Sequence, residues 1–223
     1  THAQGVSKFS KGSWKDITPE QNKLAFNALS VNPKNKDDVI VATYSNTSTE
    51  IFHSFDGGGK WNRQKRQTNN TVSWWSDYMK SKPSIASIEF EPWNRSRVWL
   101  TDWYGIWRTD NINRNPVVWT NYQQGHEEIV TFTLVATPSG ALISGMADVD
   151  GFYHDRGLNA YPSKMLSSKP HEFQDTYSIA YSQKNPLKMV RVGGNRHNNT
   201  YSGGTSSDGG KTWKKFSSFP KNQ

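Results

Sequence analysis

Three aspartates lie close together in the second half of the 223-residue chain. They are Asp148, Asp150 and Asp155, and Gly145 and Gly151 flank the first two. A protonated carboxyl group can donate a proton to a departing oxygen, and an ionised one can activate water. Asp148 and Asp150 would share one face of a strand, because side chains alternate along a strand, but that inference lapses in a loop. The cluster predicts an acid/base site, and a solvated or calcium-binding turn is the alternative.

The composition excludes several other kinds of chemistry. The chain has no cysteine, which rules out disulfides, cysteine-ligated zinc and thiol nucleophiles. Its six histidines show no metal-ligand spacing, and no glycine-rich phosphate loop follows a strand. We therefore predict no metal and no organic cofactor. No apolar run is long enough to span a bilayer, so we predict no membrane partner.

The net charge of +8 suits an anionic partner or serves solubility. The one dense basic run, Lys60–Arg66, is short, and the other basic residues are scattered. A solvated basic face explains this distribution better than nucleic-acid binding, so no nucleic-acid partner is predicted.

Short β-strands dominate the hydrophobic pattern, and helical periodicity is almost missing. The clearest predicted strands are Val39–Tyr44, Ser87–Phe90, Arg97–Thr101, Val130–Val135 and Met189–Val192. The segments around Arg63–Met79 and Arg156–Phe173 lack such a pattern, and we interpret them as long loops, which are more often functional than accidental.

A strand followed by a turn with Asn or Pro recurs along the chain. The copies are Leu24–Pro33, Ile85–Pro92, a looser Val130–Pro138, and Ser178–Pro186. They lie about 45 to 60 residues apart, which is the spacing of four-stranded propeller blades. The sequence predicts an all-β propeller segment of about four blades with four antiparallel strands each. The predicted blades are 19–66, 83–122, 127–166 and 177–217, with 1–18 ending a preceding blade. An open propeller leaves unpaired edges, so we expect a longer chain to complete it.

Two repeats contain the Ser-x-Asp-x-Gly-x-x-Trp pattern called the Asp-box. They are Ser54-Phe-Asp-Gly-Gly-Gly-Lys-Trp61 and Ser206-Ser-Asp-Gly-Gly-Lys-Thr-Trp213. The aspartate can accept backbone N–H groups across its own turn, and the glycines can adopt positive φ. We therefore interpret Asp56 and Asp208 as turn residues and not as catalytic groups.

These motifs together resemble glycoside hydrolase family 74, the xyloglucan-cleaving enzymes with two seven-bladed propellers. The resemblance follows the family's order over most of the chain, and its most specific part is Ser144–Asp155. The other matching stretches are Ser13–Pro19, Val31–Pro33, Ile51–Gly58, Gly125–Glu128, Val190–Gly193 and the second Asp-box. The resemblance implies a segment of a larger two-propeller enzyme that hydrolyses the β-1,4-glucan backbone of xyloglucan-type polysaccharide with inversion.

By position, the resemblance implies that Asp148 is the general acid. Asp150 and His154 are possible supporting residues. The second catalytic carboxylate belongs to an Arg-Thr-Asp-x-Gly-Gly motif, which this chain does not contain. An inverting pair would stand about 6.5 to 9.5 Å apart.

Sugar rings stack on aromatic side chains through their C–H faces. The candidate platforms are Trp74, Trp75, Trp103, Tyr104 and Phe152. The first two lie in a long polar loop, where a core role is hard to arrange. The implied partner is a polysaccharide or oligosaccharide substrate, together with the remaining blades of a longer chain. Because such polymers lie outside cells, we expect the protein to be secreted.

Two rival functions are weighed against this interpretation. A sialidase would need three arginines that bind the substrate carboxylate and an Arg-Ile-Pro opening, which is not found. A non-catalytic propeller that binds carbohydrate or protein would account for the missing second carboxylate. It is the alternative that stays open.

Overall fold

The computed structural model describes residues 5–19, 25–44, 49–72, 85–102, 105–163, 165–166, 173–196 and 198–219. Over these residues the chain is all-β, with 18 strands and no helix. Consequently, no described element is an apolar helix long enough to cross a membrane. The strands belong to two compact units, Thr1–Glu127 and Glu128–Gln223. The all-β prediction is confirmed.

The first unit opens with a hairpin and a four-stranded sheet. The hairpin pairs β1 (Ser7–Ser10) with β2 (Ser13–Asp16). The sheet is antiparallel and follows chain order, with strands β3 (Ala25–Val31), β4 (Val39–Tyr44), β5 (Ile51–Ser54) and β6 (Asn62–Arg63). Sequential antiparallel strands of this kind form a propeller blade.

The second sheet of this unit has five strands and corrects one sequence interpretation. Its strands are β7 (Arg66–Asn69), β8 (Ser87–Glu91), β9 (Asn94–Thr101), β10 (Ile106–Thr109) and β11 (Val117–Asn121). β8 to β11 are antiparallel in chain order, whereas β7 pairs parallel with β11. The loop prediction around Arg63–Met79 is therefore wrong at β7. The Arg-Gln-Thr-Asn sequence of β7 is entirely polar, so it shows no apolar alternation that could predict a strand. Its pairing with β11 is made by backbone groups.

The second unit contains a three-stranded and a four-stranded antiparallel sheet. The first consists of β12 (Thr131–Ala136), β13 (Leu142–Met146) and β14 (Gly151–Tyr153). The second consists of β15 (Asp175–Ser182), β16 (Asn185–Asn195), β17 (Thr200–Ser206) and β18 (Lys214–Lys215). The predicted blade boundaries stay a prediction.

Each unit has its own apolar cluster. The first contains Val6, Phe26, Val39, Val41 and Phe52, with Ile17 and Trp61 packed against them. The second contains Ile143, Leu166, Ile179 and Met189, with Val135, Tyr153, Tyr181 and Trp213 around them. Burial of each such aliphatic or aromatic side chain contributes about 1.5–3 kcal/mol. In β3 buried and exposed residues alternate, whereas the first five residues of β4 are all buried.

Both Asp-boxes form tight turns that satisfy their own aspartates. Asp56 Oδ1 accepts the backbone N–H groups of Gly59 and Lys60, both at 2.8 Å. The Lys60 N–H is the main cause that holds the pKa of Asp56 below its usual value. Asp208 Oδ1 accepts the Thr212 N–H at 3.0 Å, and Asp208 Oδ2 accepts the Thr212 hydroxyl at 2.5 Å. These contacts give the two aspartates a structural role in their turns.

Candidate active site

Asp148 and Asp150 lie in the turn that joins β13 to β14, whereas Asp155 follows β14 and its carboxylate is bonded to Ser163. Asp148 and Asp150 have φ values of 65° and 63°, in the left-handed region that short polar residues tolerate better than most. The Met146 N–H donates to the Asp150 carbonyl at 2.9 Å, and the Gly151 N–H donates to the Val149 carbonyl at 2.7 Å. Because the backbone turns here, the strand rule for residues two apart does not apply. The two carboxylates have different environments.

The Asp148 side chain is held at one oxygen. Its Oδ1 accepts a hydrogen bond from Gln174 Nε2 at 3.1 Å and is paired with the Arg196 guanidinium. Its own backbone N–H donates to Asp175 Oδ1 at 2.9 Å. Its Oδ2 has no hydrogen-bond partner among the residues that the structure describes, and the side chain is 26% exposed. One carboxyl oxygen is thus oriented, while the other is open to a ligand or to water.

Asp175 is the fully buried centre of this network. It is the first residue of β15, and none of its surface is exposed. Arg196 Nη1 lies 3.3 Å from its Oδ1 and 3.4 Å from its Oδ2, and the Tyr177 hydroxyl donates to Oδ2 at 3.1 Å. Burial, followed by this hydrogen bond, raises the pKa of Tyr177. Arg196 is therefore shared by two carboxylates.

Asp150 is enclosed in the interior of the second unit. It is 2% exposed, accepts the Thr176 hydroxyl at 2.5 Å and forms an ion pair with Arg191. The Arg191 guanidinium lies over the Phe173 ring, 4.3 Å from its centroid, and 5.1 Å from that of Trp213. A buried carboxylate with a partner of this kind anchors the turn that carries Asp148. This geometry agrees with the prediction that Asp150 supports Asp148. That role stays a prediction.

Phe152 and His154 follow on β14 and just after it. Phe152 is 3% exposed, and its ring meets the His154 ring edge-on at 6.4 Å. His154 Nε2 lies 3.0 Å from Ser144 Oγ, and burial lowers the pKa of His154. Both rings are thus part of the sheet's packing. The proposed sugar contact of Phe152 and supporting role of His154 stay predictions.

The other predicted sugar platforms, Trp74, Trp75, Trp103 and Tyr104, lie outside the described residues. Within the described part of the chain, no group of three or more His, Asp and Glu side chains is arranged to hold a metal ion.

Sequence reasoning missed the residues that orient Asp148. Gln174, Asp175 and Arg196 follow it by 26, 27 and 48 positions in the chain. No local motif connects them with the turn, because they meet it only through the packing of β15 beside β13 and the pairing of β16 with β15. An isolated parallel β-bridge between Asp150 and Asp175 joins the backbone of the turn to the start of β15.

Comparison with known proteins shows that the chain is similar to part of several xyloglucanases. No protein-family model matches it. It is 31% identical over 247 residues to a xyloglucanase of Paenibacillus sp., covering 95% of this chain and 24% of the relative. It is 27% identical to a xyloglucanase of Acetivibrio thermocellus, and the match covers 91% of this chain and 27% of the relative. It is 26% identical to a probable oligoxyloglucan-reducing end-specific xyloglucanase of Neosartorya fischeri, and this match covers 91% of the chain and 32% of the relative.

Solved structures agree with these sequence matches. The xyloglucanase of family 74 from Xanthomonas campestris superposes with a TM-score of 0.82 at 25% identity, covering 98% of this chain and 33% of that one. The family-74 enzyme of Niastella koreensis gives a TM-score of 0.78 at 26% identity, and the match covers 96% of this chain and 32% of that one. The propeller fold and the predicted resemblance are confirmed: this chain is similar in sequence and structure to a segment of the glycoside hydrolases of family 74. It spans about a quarter to a third of the length of these relatives.

Proposed function

We propose that the protein containing this chain hydrolyses the β-1,4-glucan backbone of xyloglucan-type polysaccharide with inversion, and that Asp148 is its general acid. The observation that carries the proposal is the asymmetry of the Asp148 carboxyl group, which is oriented at Oδ1 and open at Oδ2. The names of the similar proteins supply the substrate class, since four of the five are called xyloglucanases.

The proposed reaction begins with Asp148 protonated at Oδ2. The proton passes to the glycosidic oxygen as the bond from that oxygen to the anomeric carbon breaks. A second carboxylate removes a proton from the water that attacks the anomeric carbon from the opposite face. The Arg196 guanidinium and the Gln174 amide stabilise the negative charge that develops on Asp148 as its proton leaves.

The water-activating carboxylate is assigned to neither of the buried aspartates beside Asp148. Asp150 and Asp175 are 2% and 0% exposed and carry arginine partners, so a substrate water has no access to them. By the family resemblance, this group belongs to a motif that the chain does not contain. We therefore propose that the remaining propeller blades of a longer chain provide it. The polymeric substrate also implies a secreted protein.

The test is an Asp148→Asn variant of the full-length protein, assayed on xyloglucan by the release of reducing ends. Loss of a general acid typically lowers the rate by about 10² to 10⁴. An aryl oligosaccharide with an acidic phenol as leaving group needs little protonation, so the variant should retain much more of its activity on that substrate. This leaving-group dependence distinguishes an acid catalyst from a residue that only maintains the fold.

Asp155→Asn is the matched control, because Asp155 is an exposed acid in the same region whose side chain contacts Ser163. It should keep wild-type activity on both substrates. Full activity of Asp148→Asn on xyloglucan would refute the assignment. A wild-type protein that binds xyloglucan without cleaving it would favour the non-catalytic alternative.

A further inference from the structure

An exposed tryptophan marks a groove in the first unit that the proposed hydrolysis does not use. Trp93 stands in the two-residue tip of the β8–β9 hairpin, where Glu91 pairs with Asn94, and it is 80% exposed. The groove beside it has a volume of about 730 Å³. Single exposed apolar residues are common on proteins and need no explanation. This one differs because charged side chains surround it.

Two cations in this groove lack ionic partners. Lys34 and Arg95 both line it, both are exposed, and neither forms an ion pair with any residue in the described part of the chain. The third cation, Arg97, is neutralised, since it contacts Glu91 at 3.1 Å and Asp110 at 2.7 Å. The groove therefore combines an aromatic face with uncompensated positive charge.

A buried amide fixes the backbone under both cations. Asn32 is 2% exposed, and its Oδ1 accepts the Lys34 N–H at 3.0 Å. Its Nδ2 donates to the Arg95 carbonyl at 3.0 Å and to Asp38 Oδ2 at 2.8 Å. One side chain thus joins the β3–β4 turn to the β8–β9 hairpin. The backbone positions of the two cations are set before any ligand arrives, which lowers the cost of ordering them.

The structure points to a binding site for a pyranose that carries a carboxylate, as in the uronic acid units of an acidic polysaccharide. The Trp93 indole offers a face for the C–H side of the ring. Arg95 and Lys34 offer charge-assisted hydrogen bonds to the carboxylate. A neutral sugar would not use the two free cations. A nucleic acid would call for a longer basic track than two side chains.

The test measures binding of a galacturonic acid oligomer to the full-length protein by calorimetry at physiological salt. Trp93→Ala should weaken binding about tenfold, as expected for an aromatic contact at the centre of a site. The double variant Lys34→Gln/Arg95→Gln should weaken it by roughly threefold or more, because exposed charge pairs are individually weak. Activity on xyloglucan should not change in either variant, which separates this site from the proposed hydrolytic one.

Two matched controls distinguish the site from general effects. Trp14 is also exposed, at 72%, but does not line the groove, so Trp14→Ala should bind as the wild type. Lys184→Gln/Lys211→Gln removes the same charge from exposed positions in the second unit and should change binding little. The proposal is overturned if Trp93→Ala binds normally or if both double variants lose affinity equally. The proposal is also overturned if a neutral xyloglucan oligomer or single-stranded DNA binds at Trp93 as tightly as the galacturonic acid oligomer does.

Discussion

At the scale of single residues, the site is defined by the difference between two neighbouring aspartates. Asp148 keeps an open carboxyl oxygen and 26% side-chain exposure, whereas Asp150 is enclosed by Thr176 and Arg191. The same turn therefore offers one acid that can reach a ligand and one that holds the turn in place. Arg196 connects the open acid to the buried Asp175, so its removal should affect the orientation of Asp148 more than the fold.

We predict that Arg196→Gln lowers kcat on xyloglucan by about ten- to a hundredfold with little change in KM. The guanidinium contacts Asp148 and Asp175 but is itself 44% exposed, so its loss misplaces the carboxyl group without opening the core. A small displacement of a reacting group can have an effect of about this size. Arg196→Lys should recover only part of the rate, because an ammonium cannot reproduce the forked geometry of the guanidinium.

Steady-state kinetics of these variants, with Arg156→Gln as the control, test the prediction. Arg156 is an exposed arginine in the same sheet region and should be replaceable without effect. A positioning role would be excluded by an unchanged kcat in Arg196→Gln. A decrease in thermal stability alone would also exclude it.

The sequence could single out Asp148 as a candidate but could not indicate which residues contact it. A short motif contains Asp148, Phe152 and His154 within one turn and one strand, so their proximity is local. The contacts of Gln174, Asp175 and Arg196 depend on how β15 packs beside β13 and pairs with β16, which a single sequence does not specify.

At the scale of strands and turns, the sequence predicted best where apolar side chains alternate or run together. The predicted strand Val39–Tyr44 is β4 without change, and Arg97–Thr101 lies within β9. The polar strand β7 was missed, and β17 has glycines at two buried positions, where apolar side chains usually mark a strand. Side-chain patterns reveal burial, whereas strands held by backbone pairing alone leave little trace in the sequence.

The second Asp-box should make the stability of the chain depend on pH. Partial burial alone would raise the pKa of Asp208, but the hydrogen bonds from Thr212 and Ser206 lower it from 3.8 to about 2. Because the folded-state pKa is depressed, this stabilisation is fully present above the unfolded-state value near pH 4 and is lost as the pH falls through about 2. After allowance for solvent screening, we expect Asp208→Asn to cost about 1 kcal/mol at neutral pH.

Urea unfolding near pH 6 and near pH 3 measures this contribution. The difference between wild type and Asp208→Asn should be roughly halved at the lower pH. Glu128→Gln, which changes an exposed acid in the same unit, should show no such trend. An equal cost of Asp208→Asn at both pH values would mean that the carboxylate charge does not stabilise the turn.

At the scale of the whole molecule, the proposed acid Asp148 needs a partner that the two buried aspartates beside it do not supply. Inverting hydrolysis needs two carboxyl groups about 6.5 to 9.5 Å apart, because a water molecule must fit between the base and the sugar. Asp150 and Asp175 are buried and ion-paired with arginines, so neither is accessible to such a water molecule. The chain matches about a quarter to a third of its relatives' length, so the proposed activity belongs to the protein as a whole.

The stereochemistry of the product tests this proposed division of roles. If Asp148 acts only as an acid and a separate base activates water, cleavage of a β-1,4-glucan bond must first release the α-anomer. Proton NMR of the full-length protein with a xyloglucan oligosaccharide should show the α-anomeric signal before mutarotation produces the β form. Initial release of the β-anomer would require a carboxylate nucleophile, with the two groups only about 5 to 5.5 Å apart. Because the two nearest aspartates are buried and paired with arginine, that result would contradict the geometry proposed for Asp148.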